Sequence, residues 1–163
     1  MKRTLLVALG CAAALSGCAT TDAAPQGRGA MAFDHFMVAI SVADMEKETA
    51  WYRDNLGFTV TANTTIGGGT PVRWLENGNE RIELIAANGS TAGPVRATPP
   101  RHAGIRGISQ VTLQTDNLQA ARDALVVKGI TPALDITEVA PLGIKVIYLV
   151  DPEGNAVEIA QKL

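Results

Sequence analysis

Two glutamates in this 163-residue chain stand where a carboxylate is costly. Glu83 lies in Arg81-Ile82-Glu83-Leu84 and Glu158 in Ala156-Val157-Glu158-Ile159, each with apolar neighbours in a segment that reads as a strand. A carboxylate withdrawn from water in such surroundings needs an ionic partner, hydrogen-bond donors or a metal. A salt bridge to Arg73 or Arg81 is the plainest structural reason for either of them. If they face a cleft instead, a raised pKa lets a carboxylate act as a general base near neutral pH. Polar groups recur at two-residue spacing nearby in kind: Gln110, Thr112 and Gln114 share one face of an alternating segment, and His35 and Met37 share one face of another. Trp74 divides between core and cleft wall. A concave surface with a few convergent polar groups is the usual form of a small-molecule site.

The elements that must hold these residues follow from pattern and punctuation. Phe33 to Val42 alternates, with Phe36, Val38, Ile40 and Val42 on the apolar face. Asp44 caps a helix with Glu46 in its first turn; Met45, Trp51, Tyr52 and Leu56 give its apolar side, and Gly57 stops it. Strands are predicted over Phe58 to Ile66, Pro71 to Glu76 and Glu80 to Ala86, separated by Gly67-Gly68-Gly69 and Asn77-Gly78. The glycine run joins two strands and offers no helix N-terminus to a phosphate, so a nucleotide loop is not expected there. After a Pro- and Gly-rich connector from Asn88 to Gly107, in which His102 is expected to be solvated, the order restarts. It runs through strand Ile108 to Thr115, a helix capped by Asp116 or Asn117 and ended by Gly129, and strands near Thr131 to Ile136, Ile144 to Val150 and Ala156 to Gln161. The expected fold is α+β: two βαβββ modules, about 32–88 and 107–163, with curved mixed sheets forming a central cleft.

Two stretches carry a family resemblance. Ile40 to Lys47 followed by Trp51-Tyr52-Arg53-Asp54-Asn55-Leu56-Gly57-Phe58 resembles the first-module signature of the vicinal-oxygen-chelate superfamily of glyoxalases, bleomycin-resistance proteins and dioxygenases. Tyr148-Leu149-Val150-Asp151-Pro152-Glu153-Gly154-Asn155 with Ala156 to Ile159 resembles its closing signature. The resemblance implies metal-ligand positions at Glu83, Glu158 and Gln110, with the first-strand position falling on Met37 and His35 two residues earlier on the same face. Carboxylates, an amide oxygen and an imidazole would suit Zn, Ni, Co or Mn; a thioether would not. Two functions that use the cleft remain open, beside a third, non-chemical reading as a structural envelope lipoprotein. One is a metal-assisted lyase or isomerase of glyoxalase type, with Glu158 or Glu83 as general base. The other is a metal-free binder or sequestering protein of the bleomycin-resistance type, its pocket walled by Met37, Trp74, Thr112 and Gln114. A dioxygenase is disfavoured, because Gln110 stands where a second histidine would be needed. The partner is a small molecule, and pairing of modules between two copies would give a homodimer.

The beginning of the chain is read apart from the fold. Lys2 and Arg3 precede an apolar run, Thr4 to Leu15, shorter than the roughly 20 residues that span a bilayer but of the length of a signal-peptide core. Leu15-Ser16-Gly17-Cys18 resembles a bacterial lipobox, which implies a signal peptide over 1–17 and lipidation of Cys18. The competing reading is an ordinary secretory signal with an incidental cysteine. Residues 18–31 form a tether to the domain at 32–163, and the implied location is the cell envelope, lipid-anchored, at the outer membrane facing the periplasm. Removing 1–17 takes Lys2 and Arg3 from the 14 basic residues and none of the 16 acidic ones, so the mature chain is acidic and has no basic stripe for nucleic acid.

Overall fold

The computed structural model describes residues 36–163. His35, Cys18 and the lipoprotein signal lie outside the described residues. The first module contains β1 (Met37–Ser41), α1 (Met45–Leu56), β2 (Thr59–Ile66), β3 (Thr70–Asn77) and β4 (Glu80–Ile85). The second contains β5 (Gln110–Gln114), α2 (Leu118–Val127), β6 (Leu134–Val139), β7 (Ile144–Val150) and β8 (Ala156–Lys162). Each module is βαβββ, and the fold is α+β as the sequence predicts.

Each module makes one four-stranded mixed sheet, in the orders β1-β4-β3-β2 and β5-β8-β7-β6. The first strand of each module runs parallel to the last, and the other pairings are antiparallel. A parallel neighbour requires a crossover, which the helix supplies. Asp44 caps α1 by accepting from the Glu46 and Lys47 amides, and Asn117 caps α2 by accepting from that of Ala120. Gly57 ends α1 at φ 72°, a left-handed conformation in which its amide closes on the Arg53 and Tyr52 carbonyls.

The alternation in β1 puts Ile40 and Val42 inside, while Met37, Ala39 and Ser41 stay exposed. Phe36 leaves the expected apolar face and is exposed. One core serves both modules: Ile40, Tyr52, Phe58, Leu75 and Leu84 from the first pack with Leu118, Leu125, Ile147, Leu149 and Val157 from the second. The modules are also tied by polar contacts. The Ala43 amide donates to Glu153 at 2.6 Å, and the Tyr52 hydroxyl donates to Asp151 at 3.2 Å. Among the described residues no helix is long and apolar enough to cross a membrane.

Two local expectations change. β6 begins at Leu134, three residues later than Thr131. Pro132 has no amide to give a ladder, and pairing opens with the Ala133 amide on the Tyr148 carbonyl at 2.7 Å. The connector is also less solvated than its composition predicts. It forms a short 3₁₀ turn, His102–Gly104, and His102 is only 4% exposed.

Candidate functional site

The second sheet builds the site one strand at a time. Glu158 on β8 stands opposite Thr112 on β5 and opposite Tyr148 on β7. Directly paired residues of neighbouring strands share a face, so the three side chains converge. Glu158 is 7% exposed, and both of its oxygens are occupied. Oε1 accepts from the Tyr148 hydroxyl at 2.6 Å; Oε2 accepts from the Thr112 hydroxyl at 2.7 Å and from Gln110 Nε2 at 2.8 Å. Gln110, one pleat along β5, has its other amide end at His102, with Oε1 and Nε2 2.7 Å apart. The His102 ring packs on Tyr148 at a centroid distance of 5.0 Å. Burial, and then the Glu158 carboxylate, push the Tyr148 phenol up to about 12, so it keeps its proton throughout the neutral range.

The first sheet repeats this plan with different side chains. Glu83 on β4 stands opposite Ala39 on β1 and Trp74 on β3. Trp74 Nε1 donates to Glu83 Oε1 at 2.8 Å. In each module an aromatic donor on the third strand therefore holds the glutamate of the fourth. The salt bridges considered for Glu83 go elsewhere. Arg73 is turned to the helix side, where it pairs with Glu46 at 2.7 Å, and Arg81 pairs with Glu76 while its guanidinium lies 4.6 Å from the Trp74 ring centroid. Glu83 and Trp74 are half-buried.

Thr112 and Gln114 line a cleft of about 380 Å³ together with Ile144, Ala160 and Lys162. Gln110 and His102 line a larger one of about 680 Å³, bounded by β1, the start of β5 and connector residues 90–99. On β8, Glu158 is two positions from Ala160, which lines the smaller cleft, and two from Ala156, which lines the larger; neither lining includes Glu158 or Glu83. Met37, at 39% exposure, is a pleat away from the strand position that faces Glu83.

Among the described residues no three His, Cys, Asp or Glu side chains gather as a metal group. Met37 offers a thioether, and the Gln110 carbonyl oxygen is turned to His102 and Tyr148, not to Glu158. Among the described residues that set, two carboxylates with a thioether and an amide oxygen turned away, does not make up a site for a hard, oxygen-seeking cation.

Two members of the cluster escaped the sequence reading. Tyr148 had a signal, since alternation in Ile144 to Val150 puts it on one face with Val146, beside the β8 glutamate. His102 had none, because nothing in a Pro- and Gly-rich stretch reveals that it folds back onto β5.

Comparison with known proteins agrees with this architecture. The chain is 32% identical over 127 residues to mouse mitochondrial methylmalonyl-CoA epimerase, an alignment covering 76% of this chain and 70% of that protein. In fold it is similar to the crystal structure of SMU.1112c (TM-score 0.64, 24% identity, covering 80% of this chain and 99% of that one). It is likewise similar to a glyoxalase family protein from Enterococcus faecalis (TM-score 0.60, 18% identity, covering 80% and 97%). The model of the Glyoxalase/Bleomycin resistance protein/Dioxygenase superfamily matches residues 32–159, and the chain belongs to that superfamily.

Proposed function

We propose that the domain is a proton-moving isomerase of the epimerase kind, acting on a small oxygenated molecule with an acidic C–H beside a carbonyl. The observation that carries this reading is the pair of aromatic-tethered carboxylates, Glu158 with Tyr148 and Glu83 with Trp74, at equivalent positions of the two modules. Epimerisation removes a proton from one face of a carbon and returns one to the other. The mechanism requires a carbon within reach of both carboxylates: Glu158 takes the proton, charge passes to the substrate carbonyl as an enolate, and Glu83 delivers a proton to the opposite face. The reverse turnover exchanges their roles. Glu158 can become the acid because the Thr112 and Tyr148 hydroxyls can rotate from donating to accepting. Met37, Trp74, Thr112 and Gln114 serve as walls. The likeness to a methylmalonyl-CoA epimerase supports the reaction class.

The test is solvent exchange. The purified full chain is incubated with methylmalonyl-CoA in deuterated water, and loss of the C2 proton signal is followed by NMR together with inversion. Wild type is expected to do both. Glu158→Gln is expected to lose roughly 100-fold or more in rate, the scale of a removed general base. Glu83→Gln is expected to keep exchange from one enantiomer while losing inversion. Absence of exchange here and with a panel of 2-substituted β-keto and α-hydroxycarbonyl compounds would overturn the reading.

A second reading, a metal-free binder, is favoured by one feature: every oxygen of Glu158 already has a protein donor. It predicts saturable ligand stabilisation with no C–H exchange. The lipidation proposed at Cys18 would place the protein in the envelope, away from the coenzyme A thioesters made in the cytoplasm, so the reaction class is proposed and that substrate is only a probe. Incorporation of labelled palmitate into wild type but not into Cys18→Ser tests the anchor.

A further inference from the structure

Following the protons through the Glu158 cluster assigns a part to a residue outside both modules. An ionised carboxylate only accepts. Thr112, Tyr148 and the N–H end of Gln110 must therefore all donate to Glu158. Gln110 Nε2 has a second acceptor in Thr112 Oγ1 at 3.1 Å, consistent with a hydroxyl whose own proton is spent on Glu158. The amide is then fixed in direction, and its Oε1 must be met by donors. Tyr148 has one proton, and it lies on the shorter contact, 2.6 Å to Glu158 against 3.3 Å to Gln110. The donor left for Oε1 is His102 Nε2 at 2.7 Å. The ring is thus the Nε2–H tautomer, with Nδ1 bare. Nδ1 is buried and has no hydrogen-bond partner, so the ring is oriented by Gln110 and Tyr148 and not by its own second nitrogen.

The connector is built to deliver this ring. Arg96 Nη1 donates to the carbonyls of His102 and Ile105, at 3.3 and 2.7 Å, and ties down the 3₁₀ turn that carries it. We propose that His102 is a positioning residue of the Glu158 site: its Nε2–H locks the Gln110 carboxamide with the N–H end on the carboxylate. Without that lock the amide can turn over and set its oxygen against Glu158, repelling the charge it should hold. The inference rests on the reading of Glu158 as the reacting carboxylate for its catalytic consequence, but not for its hydrogen-bond geometry.

The experiment therefore has two arms. In the first, uniformly ¹⁵N-labelled full chain at pH 7.5 is read for the His102 tautomer by two-bond nitrogen–proton correlations and for the Gln110 side-chain amide by solvent exchange. His102 is assigned by its absence from His102→Gln. The expected result is an Nε2–H ring and a slowly exchanging Gln110 amide that becomes fast in His102→Phe and slow again in His102→Gln, whose amide nitrogen can stand in for Nε2. An Nδ1–H ring, or a Gln110 amide indifferent to His102→Phe, would overturn the proposal. In the second arm, deuterium exchange at C2 of methylmalonyl-CoA is expected to fall in kcat by roughly 10- to 100-fold in His102→Phe, the scale of losing a partner that orients a reacting group, and to recover in His102→Gln. A change confined to KM would also count against it. If wild type exchanges nothing, the proposed function fails while the first arm still decides the role of His102.

Discussion

Deleting a single oxygen from Tyr148 separates its hydrogen bond from its packing. The ring of Tyr148→Phe still covers His102, but Glu158 loses its 2.6 Å donor at a position only 7% exposed. A hydrogen bond to a charged group contributes roughly 1.5–3 kcal/mol, and a buried acceptor left without its donor costs at the same scale. Tyr148→Phe is therefore expected to lose about that much in denaturant unfolding at pH 7. Glu158→Gln in the same background should recover part of it, because the uncompensated charge is gone; strict additivity of the two changes would show that they do not interact. At this scale the sequence singles out four of the side chains that strand pairing brings into the two candidate carboxylate clusters. Glu83, Glu158, Gln110 and Thr112 were legible because an odd polar group in an apolar strand is informative by contrast. Trp74 remained undecided between core and wall, and it serves as a donor to Glu83. His102 was unreadable, since its neighbours in the fold are 8 and 46 residues away along the chain, at Gln110 and Tyr148.

Elements were more legible than contacts, because each is written in local chemistry. The Asp44 cap, the apolar side of α1 and the Gly57 stop are all within 14 residues, and each appears as the sequence predicts. β6 was misplaced because its amides depend on a partner, β7, and because a bulge between Leu134 and Thr137 breaks the alternation. Gly57 offers a test at this scale. A Cβ there would meet Asn77 Nδ2 at 3.6 Å, an ordinary contact, so the penalty for a side chain comes from φ 72° and not from crowding. Gly57→Ala should cost about 1–2 kcal/mol, the price of the left-handed region for an L-residue. A loss below about 0.3 kcal/mol would mean that the end of α1 rewinds to relieve it. Gly57→Asn should be milder, since Asn tolerates that region better.

At the scale of the whole molecule, what joins the modules is the part that no local pattern could reveal. In sequence nothing sets Glu48 apart from the other charges of α1, yet it is fully buried, and neither of its oxygens has a hydrogen-bond partner. It lies on α1 beside Tyr52, which donates to Asp151 in the β7–β8 turn of the other module. Asp151 itself is 4% exposed and is held by the Glu153 and Asn155 amides and by the Asn155 side chain. Burial first, then the Asp151 carboxylate, push the Glu48 carboxyl up to about 9, with Glu153 adding to the rise and Lys47 opposing it. The folded protein therefore holds a proton on Glu48 that the unfolded chain, with an ordinary value of 4.5, gives up. A group raised on folding contributes stability that is complete below its unfolded pKa and is lost as pH rises towards the folded one. Between pH 5 and 9 the wild-type protein should thus weaken steadily, whereas Glu48→Gln, neutral at every pH, should be nearly flat across that window. At pH 8 the variant should be the more stable by about 1–3 kcal/mol, a figure kept below the full linkage value because Asp151 and Glu48 respond to one another. Denaturant unfolding at half-unit steps of pH measures it. Parallel curves for the two proteins would show that Glu48 does not titrate across the seam, and a variant less stable than wild type at every pH from 5 to 9 would mean that the carboxyl, not an amide, is what the seam holds.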